Sequence, residues 1–342
     1  MQPTFMDFIR LQRAGVPPLT TDDLTGKVVL VTGANTGIGY EIAKNFAQMN
    51  PAKVIIACRS KDKGRAAVAK LRQETGFDNI ELRIVDFAKF SSVVEFSDAF
   101  VKEEKRLDIL IANAAVAMEE YTTTSDGWET TIQVNVLSTL LSCIRLAPLM
   151  IETAKLSPGS KPRVVIVGSS IHYNIRTLEG KLFDSGNLLR NVSGPEYSKA
   201  KMAQRYTESK VLVVLMVQSL TQAFENTPVI VNSACPGYCY SELRRNIVGI
   251  KGLIFRIMDW FLAWTSEEGS RQIIWATLAG KENPDSMRGT FCSGMAVLET
   301  SDYTISSEGL KAQEMLWNNL IEELSRVDPN VSVILKDVQN KK

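Results

Sequence analysis

The chain has 342 residues, 45% of them apolar, enough to fill one large core or two smaller ones. Its 39 basic and 38 acidic side chains leave a net charge of +1, so no basic excess points to a nucleic acid partner. Five scattered cysteines, an odd number, argue against a disulfide framework and for a reduced, cytoplasmic setting; with His172 the only histidine, no zinc ligand set assembles and no metal is expected.

Residues 1–24 form an extension in which Asp7, Arg10 and Arg13 interrupt the apolar residues, unlike a secretion signal. No apolar run reaches the roughly 20 residues of a spanning helix. Val28 to Val31 is a continuous, β-branched apolar run, the pattern of a strand buried on both faces. Gly33, Gly37 and Gly39 follow, then a helix from Ile38 to Gln48; such a turn leaves bare N–H groups at a helix N-terminus, where a pyrophosphate is cradled. Lys53 to Cys58 is a second strand ending at Arg59, and Lys61 to Thr75 a helix. Ile80 to Val85 is a third strand, running into Asp86 and a helix opened by Ser92 and Glu95 as a capping box. Ile109 to Ala112 leads to Asn113, and a long helical region from Asp126 to about Lys155 carries Asn135.

Val164 to Val167, the fifth strand, runs into Gly168-Ser169-Ser170. A long helix from Pro195 to Phe224 and a sixth strand, Val229 to Ala234, lead to Pro236-Gly237. Two insertions, 171–196 and 238–264, read as substrate-side walls; for the second, with Phe255, Trp260, Phe261 and Trp264, an amphipathic helix on the core and a membrane-surface contact are the alternatives. An edge strand near Thr290 to Leu298, a helix from Ser307 to Leu324 and a polar, frayed tail over 325–342 complete the chain. This alternation predicts a single α/β domain with its core at 25–324: a doubly wound parallel sheet of about seven strands with helices on both faces. Ligands bind such sheets beyond the carboxyl ends of the strands, where the polar residues just named fall.

Tyr197-Ser-Lys-Ala-Lys201 places a phenol and an ammonium one helical turn apart. A phenol titrating near ~10 carries protons near neutral pH only if its anion is favoured by roughly 2 to 3 units, and a nearby cation does this. Ser169 or Ser170 is placed to hold the reacting oxygen, and Asn135 to share a water with Lys201. His172 reads as a loop residue, since no Gly-x-Ser-x-Gly elbow accompanies it.

With Thr32-Gly-Ala-Asn-Thr-Gly-Ile-Gly39, Ala57-Cys-Arg59, Asp86, Ala112-Asn-Ala-Ala115, Asn135, Val167-Gly-Ser-Ser170, Tyr197-x-x-x-Lys201 and Pro236-Gly237 in this order, the chain resembles a short-chain dehydrogenase/reductase, and within that family the retinol dehydrogenase and protochlorophyllide reductase branch. The resemblance spans about Thr25 to Leu324 and implies a Rossmann fold. It makes Tyr197 the acid/base, Lys201 the partner that lowers its pKa and binds the nicotinamide ribose, Ser170 rather than Ser169 the substrate-orienting hydroxyl, and Asn135 the anchor of a relay water. For the cofactor it implies Gly33, Asn35, Thr36, Gly37, Ile38, Gly39, Arg59, Asp86, Asn113, Ala114, Ala115, Pro236 and Gly237, with Ser241 as the hydroxyl for the carboxamide. Three positions depart from the family pattern: Ala115 fills a glycine position, Ser241 stands for the usual threonine, and Ala200 replaces the usual serine before the lysine.

An acidic residue at the end of the second strand would bind the 2′-hydroxyl of NAD; Arg59 stands there, with Lys61 and Lys63 behind it, and favours the 2′-phosphate of NADP. The expected activity is NADPH-dependent reduction of a hydrophobic ketone or aldehyde, or its reverse on a secondary alcohol, by a monomer or homodimer. A non-redox epimerase or isomerase, and a nucleotide-binding scaffold without turnover, are the competing readings.

Overall fold

The computed structural model describes every residue except 1–3, 158, 242, 244–248, 341 and 342. Eight strands form one sheet: β1 (Val28–Thr32), β2 (Lys53–Cys58), β3 (Ile80–Ile84), β4 (Ile109–Ala112), β5 (Arg163–Val167), β6 (Ile230–Ala234), β7 (Phe291–Ser293) and β8 (Ala296–Leu298). Their order is β3-β2-β1-β4-β5-β6-β7-β8, parallel up to β7, with β8 turning back antiparallel. The predicted edge strand is thus a hairpin, because Gly294 and Met295, both at positive φ, reverse the chain in two residues. Strand order reverses between β1 and β4, which opens a cleft at their carboxyl ends.

The helices are α1 (Phe5–Arg13), α2 (Gly37–Ala47), α3 (Lys61–Thr75), α4 (Phe90–Glu103), α5 (Thr130–Ile132), α6 (Thr139–Leu156), α7 (Leu188–Ser193), α8 (Pro195–Ala223), α9 (Gly249–Leu262), α10 (Ser266–Leu278), α11 (Asp302–Ile305), α12 (Ser307–Val327) and α13 (Asn330–Asn340). Two apolar clusters cover the two sheet faces, one built largely from α4, α6, α8 and α12, the other from α2, α3 and α10. The stretch Thr130–Leu156 is long and apolar enough to cross a membrane, yet its most hydrophobic window is 94% buried among these helices. All five cysteines are reduced and buried, in β2, α6, β7 and the turn after β6.

Several local expectations change. No capping box opens α4: its N-cap is Lys89, whose side chain makes no cap, the Ser92 hydroxyl accepts from the Asp86 amide at 3.0 Å, and the Asp126 carboxylate reaches across to accept from the Phe90 amide at 2.8 Å. Residues 330–340 are not frayed; α13 buries Val331, Leu335 and Val338 and packs on α6. The insertion over 171–196 contributes Leu178, Leu182, Leu188, Leu189 and Val192 to the main core, so much of it is scaffold rather than wall. In the second insertion Trp264 is buried while Trp260 and Phe261 face outward, at 76% and 64% exposure; the Phe255 side chain lies outside the described residues.

Candidate functional site: a nucleotide cradle and two tyrosine-lysine pairs

The turn after β1 is shaped by close approach. A Cβ on Gly39 would lie 2.5 Å from the Asn113 amide nitrogen and 2.5 Å from the Gly33 carbonyl oxygen, so only glycine fits. Gly37 is at φ +60° with open space beside it, and the Thr36 side chain caps none of the first amides of α2. Those N–H groups, with no acidic residue in the first turn, suit a phosphate. Asn113 braces the cradle from β4: its Nδ2 donates to the carbonyls of Thr32 at 2.9 Å and Gly33 at 3.2 Å. The Thr32 hydroxyl accepts from the amides of Asn113 and Ala114, tying β1 to β4 at the reversal point. Ala114 and Ala115 line the same half-buried run. Arg59, Lys61 and Lys63 stand exposed at the end of β2. Asp86 accepts from the Ala88 amide at 3.0 Å and so shapes the turn after β3.

Asn135 sits in a π-helical segment, Gln133–Ser138, between α5 and α6. Such a bulge shifts the helix register and re-aims a side chain. Its Nδ2 donates to the Val116 carbonyl at 2.9 Å and the Ser209 hydroxyl at 3.0 Å, and its Oδ1 accepts from the Val116 amide at 2.8 Å. At the end of β5 the Ser169 hydroxyl caps the next turn, accepting from the Ile171 amide, whereas the Ser170 hydroxyl lies 3.3 Å from that of Ser293 on β7. The sulfur of Cys235 accepts from the amides of Ser170 and Gly237, at 3.2 and 3.3 Å, joining the serine turn to the Pro236–Gly237 turn. Ser241 lies half-buried four residues beyond Gly237.

The structure does not bring Tyr197 and Lys201 to these groups. The Tyr197 hydroxyl donates to the Glu208 carboxylate and its ring lies against the Arg205 guanidinium. Burial, the bond to Glu208 and its negative charge all drive the Tyr197 pKa upward, opposite to the need of an acid/base phenol. Lys201 pairs with Glu179 at 2.5 Å, which raises its pKa and occupies its charge on the insertion loop. Both assignments are therefore corrected.

A second Tyr-x-x-x-Lys lies nine residues on in the same helix, α8: Tyr206-Thr-Glu-Ser-Lys210. The Lys210 ammonium is fully buried, donates to the Val167 carbonyl at the end of β5 at 2.7 Å, and stands 5.5 Å from the centre of the Tyr206 ring. Burial pushes its pKa down to about 8. Ser209, just before the lysine, is the residue that touches Asn135. Tyr206 is half-exposed, while Arg205 and Glu208, three residues apart on the neighbouring face, pair at 3.0 Å and belong with Tyr197. The sequence carried a signal for this pair: its lysine follows a serine, Ser209, whereas Lys201 follows Ala200.

His172 is fully buried, with its pKa pushed down to about 4 by desolvation. Its Nε2 accepts from the Ser301 amide at 3.2 Å, so Nδ1 carries the proton and donates to the Ser169 carbonyl at 2.8 Å. It is a brace between the serine turn and the segment after β8.

A glycine cradle at the first turn of a doubly wound sheet, beside a buried lysine and a phenol at the strand ends, defines a dinucleotide-binding α/β enzyme. The chain belongs to the short-chain dehydrogenase/reductase family, whose members use a nicotinamide cofactor. The family model described as short chain dehydrogenase matches residues 27–175. A short chain dehydrogenase/reductase from Cryptosporiopsis sp. is 33% identical over 331 residues, covering 96% of this chain and 99% of the relative. Among solved structures, a Mycobacterium paratuberculosis protein matches with a TM-score of 0.63 at 22% identity, over 90% of this chain and 96% of its own. Pseudomonas aeruginosa RhlG, solved as an NADP complex, matches with a TM-score of 0.58 at 23% identity, over 79% of this chain and 94% of its own.

Proposed function

We propose that the protein is an NADPH-dependent carbonyl reductase acting on a hydrophobic ketone or aldehyde, with Tyr206 as the proton donor and Lys210 as its partner. The observation that carries this reading is the pair of contacts that gathers one Tyr-x-x-x-Lys at the strand ends: Lys210 on Val167 and Ser209 on Asn135. What a bound nicotinamide supplies is the hydride. Tyr206 gives the carbonyl oxygen its proton, and the ammonium beside its ring favours the phenolate left behind. Ser170, whose hydroxyl is spared the capping duty of Ser169, holds the same oxygen in place. Asn135 fixes Ser209 and hence the turn of α8 that carries the pair.

The uncapped N-terminus of α2 and the glycine cradle fit a dinucleotide pyrophosphate, and exposed Arg59 with Lys61 and Lys63 fits a 2′-phosphate; the NADP complex of Pseudomonas aeruginosa RhlG supports that choice. A cytoplasmic setting is part of the proposal, from the odd, scattered cysteines of the sequence. Loss of NADPH absorbance over a panel of lipophilic ketones and aldehydes tests the reading. Tyr206→Phe is expected to lower kcat/KM by about 10²–10⁴-fold, the usual worth of general acid catalysis. A Tyr206→Phe enzyme at full rate refutes it.

A further inference from the structure

Tyr238–Tyr240 and Trp264 pair across a narrow neck. There the Tyr240 amide donates to the Trp264 carbonyl and the Trp264 amide to the Tyr238 carbonyl, both at 2.9 Å. Pro236 and Gly237 lie just before this neck and Ser241 just after it. From α1 the Phe8 ring meets that of Tyr238 edge-on at 6.2 Å, and Gln12 reaches into the neck itself. Gln12 is 5% exposed, and its amide makes three hydrogen bonds: Nε2 donates to the carbonyls of Tyr238 at 3.0 Å and Leu262 at 2.8 Å, and Oε1 accepts from the Tyr238 amide at 3.1 Å. A fourth joins the Trp264 indole N–H to the Gln12 carbonyl at 2.9 Å.

Both strands of the neck are thus held by one residue more than 220 positions away in sequence. A primary amide suits this task, since it presents a donor and an acceptor in one plane and so matches both peptide groups of Tyr238. The packing around it is equally close. A Cβ on Gly237 would lie 2.4 Å from the Trp264 ring and 3.1 Å from the Gln12 Oε1, so Gln12, Gly237 and Trp264 fill one another's space. The preceding residue of α1, Leu11, lies against Gly294 at the tip of the β7–β8 hairpin, the hairpin whose Ser293 touches Ser170. One short helix therefore borders both the Pro236–Gly237 turn and the hairpin beside the serine.

We infer that Gln12 is a positioning residue for dinucleotide binding, a clamp that fixes the neck and, through it, the Pro236–Gly237 turn against the nicotinamide half of the cofactor. The inference rests on the reading of this cleft as an NADPH site.

Gln12→Glu keeps the shape of the side chain and replaces the donating NH2 by an oxygen facing two carbonyls. In the full-length chain, the Kd for NADPH from fluorescence titration is expected to rise about tenfold, the order of losing one or two buried hydrogen bonds, with kcat at saturating NADPH little changed. Amide hydrogen exchange over 236–241 should accelerate in the same variant. Thr153→Val is the control: it removes a buried bond to the Leu107 amide, 2.8 Å long, at the opposite end of the strands, and should lower Tm while leaving the Kd alone. If Gln12→Glu does not fold, Gln12→Met, which removes both donor and acceptor, is read in the same way. NADPH binding as tight as wild type in the Gln12 variant, or an equal weakening in Thr153→Val, overturns the clamp. Wild-type protein that binds no NADPH overturns the site reading itself, which is a distinguishable failure.

Discussion

Tyr197 and Tyr206 are the same side chain on the same helix, but their surroundings differ, and on that difference rests the proposal that Tyr206 passes the proton. Tyr197 is sealed beneath Lys181 and Arg205 and bound to Glu208; Arg205, itself fully buried, also lies 3.7 Å from Glu129, whose carboxylate accepts from the amides of Thr131 and Ile132 just ahead of the π segment. Tyr197→Phe should keep its activity and lose about 1–3 kcal/mol in urea unfolding, because Glu208 loses a buried donor. Lys210 carries a charge at pH 7 that burial disfavours by the distance from 10.5 to about 8. Lys210→Met should therefore be inactive yet about 1–2 kcal/mol more stable, once the lost bond to Val167 is set against that relief. For the same reason the reductive rate, which needs the lysine charge, should fall as pH rises through about 8 in a kcat/KM profile. His172 acts on stability. Between pH 6.5 and about 4 the unfolded chain binds a proton that the folded chain refuses, so stability falls as pH drops through that window and levels off below it. The loss amounts to about 3 kcal/mol. His172→Gln should remove that contribution in denaturant titrations, leaving the share of the slope that carboxylates such as Glu208 carry.

At the scale of elements, β1, β4 and β5 were legible because burial on both faces leaves apolar runs rich in Val and Ile, and the glycine turn because its spacing marks where backbone meets backbone. The tyrosine-lysine pair was ambiguous for a physical reason. Any Tyr and Lys four apart share a helix face, and α8 offers two such faces nine residues apart. What separates them is what each pair meets, Asn135 and Val167 from other elements for one, Glu179 from the insertion loop and Glu208 from α8 itself for the other, and most of that is tertiary information. The clamp from α1 was illegible for the same reason, since nothing local marks Gln12. The C-terminal segment was misread because its apolar residues are few: Val331, Leu335 and Val338 recur at helical spacing amid polar neighbours, and only the surface of α6 shows what they cover. Ending the chain at residue 328 should lower unfolding stability by several kcal/mol, given roughly 1.5–3 kcal/mol for each fully buried apolar side chain, with the shift read by calorimetry.

Across the whole molecule, the reversal of strand order between β1 and β4 gathers chemistry from distant parts of the chain. The cradle comes from the β1 turn, the brace Asn113 from β4, the serines from β5 and the Pro236–Gly237 turn from β6, all at the carboxyl ends of the central strands. Arg59 stands first among the cations at the end of β2, and an acidic replacement there should repel a 2′-phosphate and accept a 2′-hydroxyl. Arg59→Glu is expected to shift the ratio of kcat/KM for NADPH over NADH by about 100-fold toward NADH, in side-by-side assays with each cofactor.

The placement of the sulfur atoms has a practical reach of its own. Because every thiol is enclosed, in regions as far apart as β2, α6 and the β6–β7 end of the sheet, a membrane-impermeant maleimide in the bulk solvent finds no target until those regions open. Counting modified sites by mass spectrometry along a denaturant gradient would therefore report, without any engineered probe, whether the two halves of the protein come apart together or one before the other.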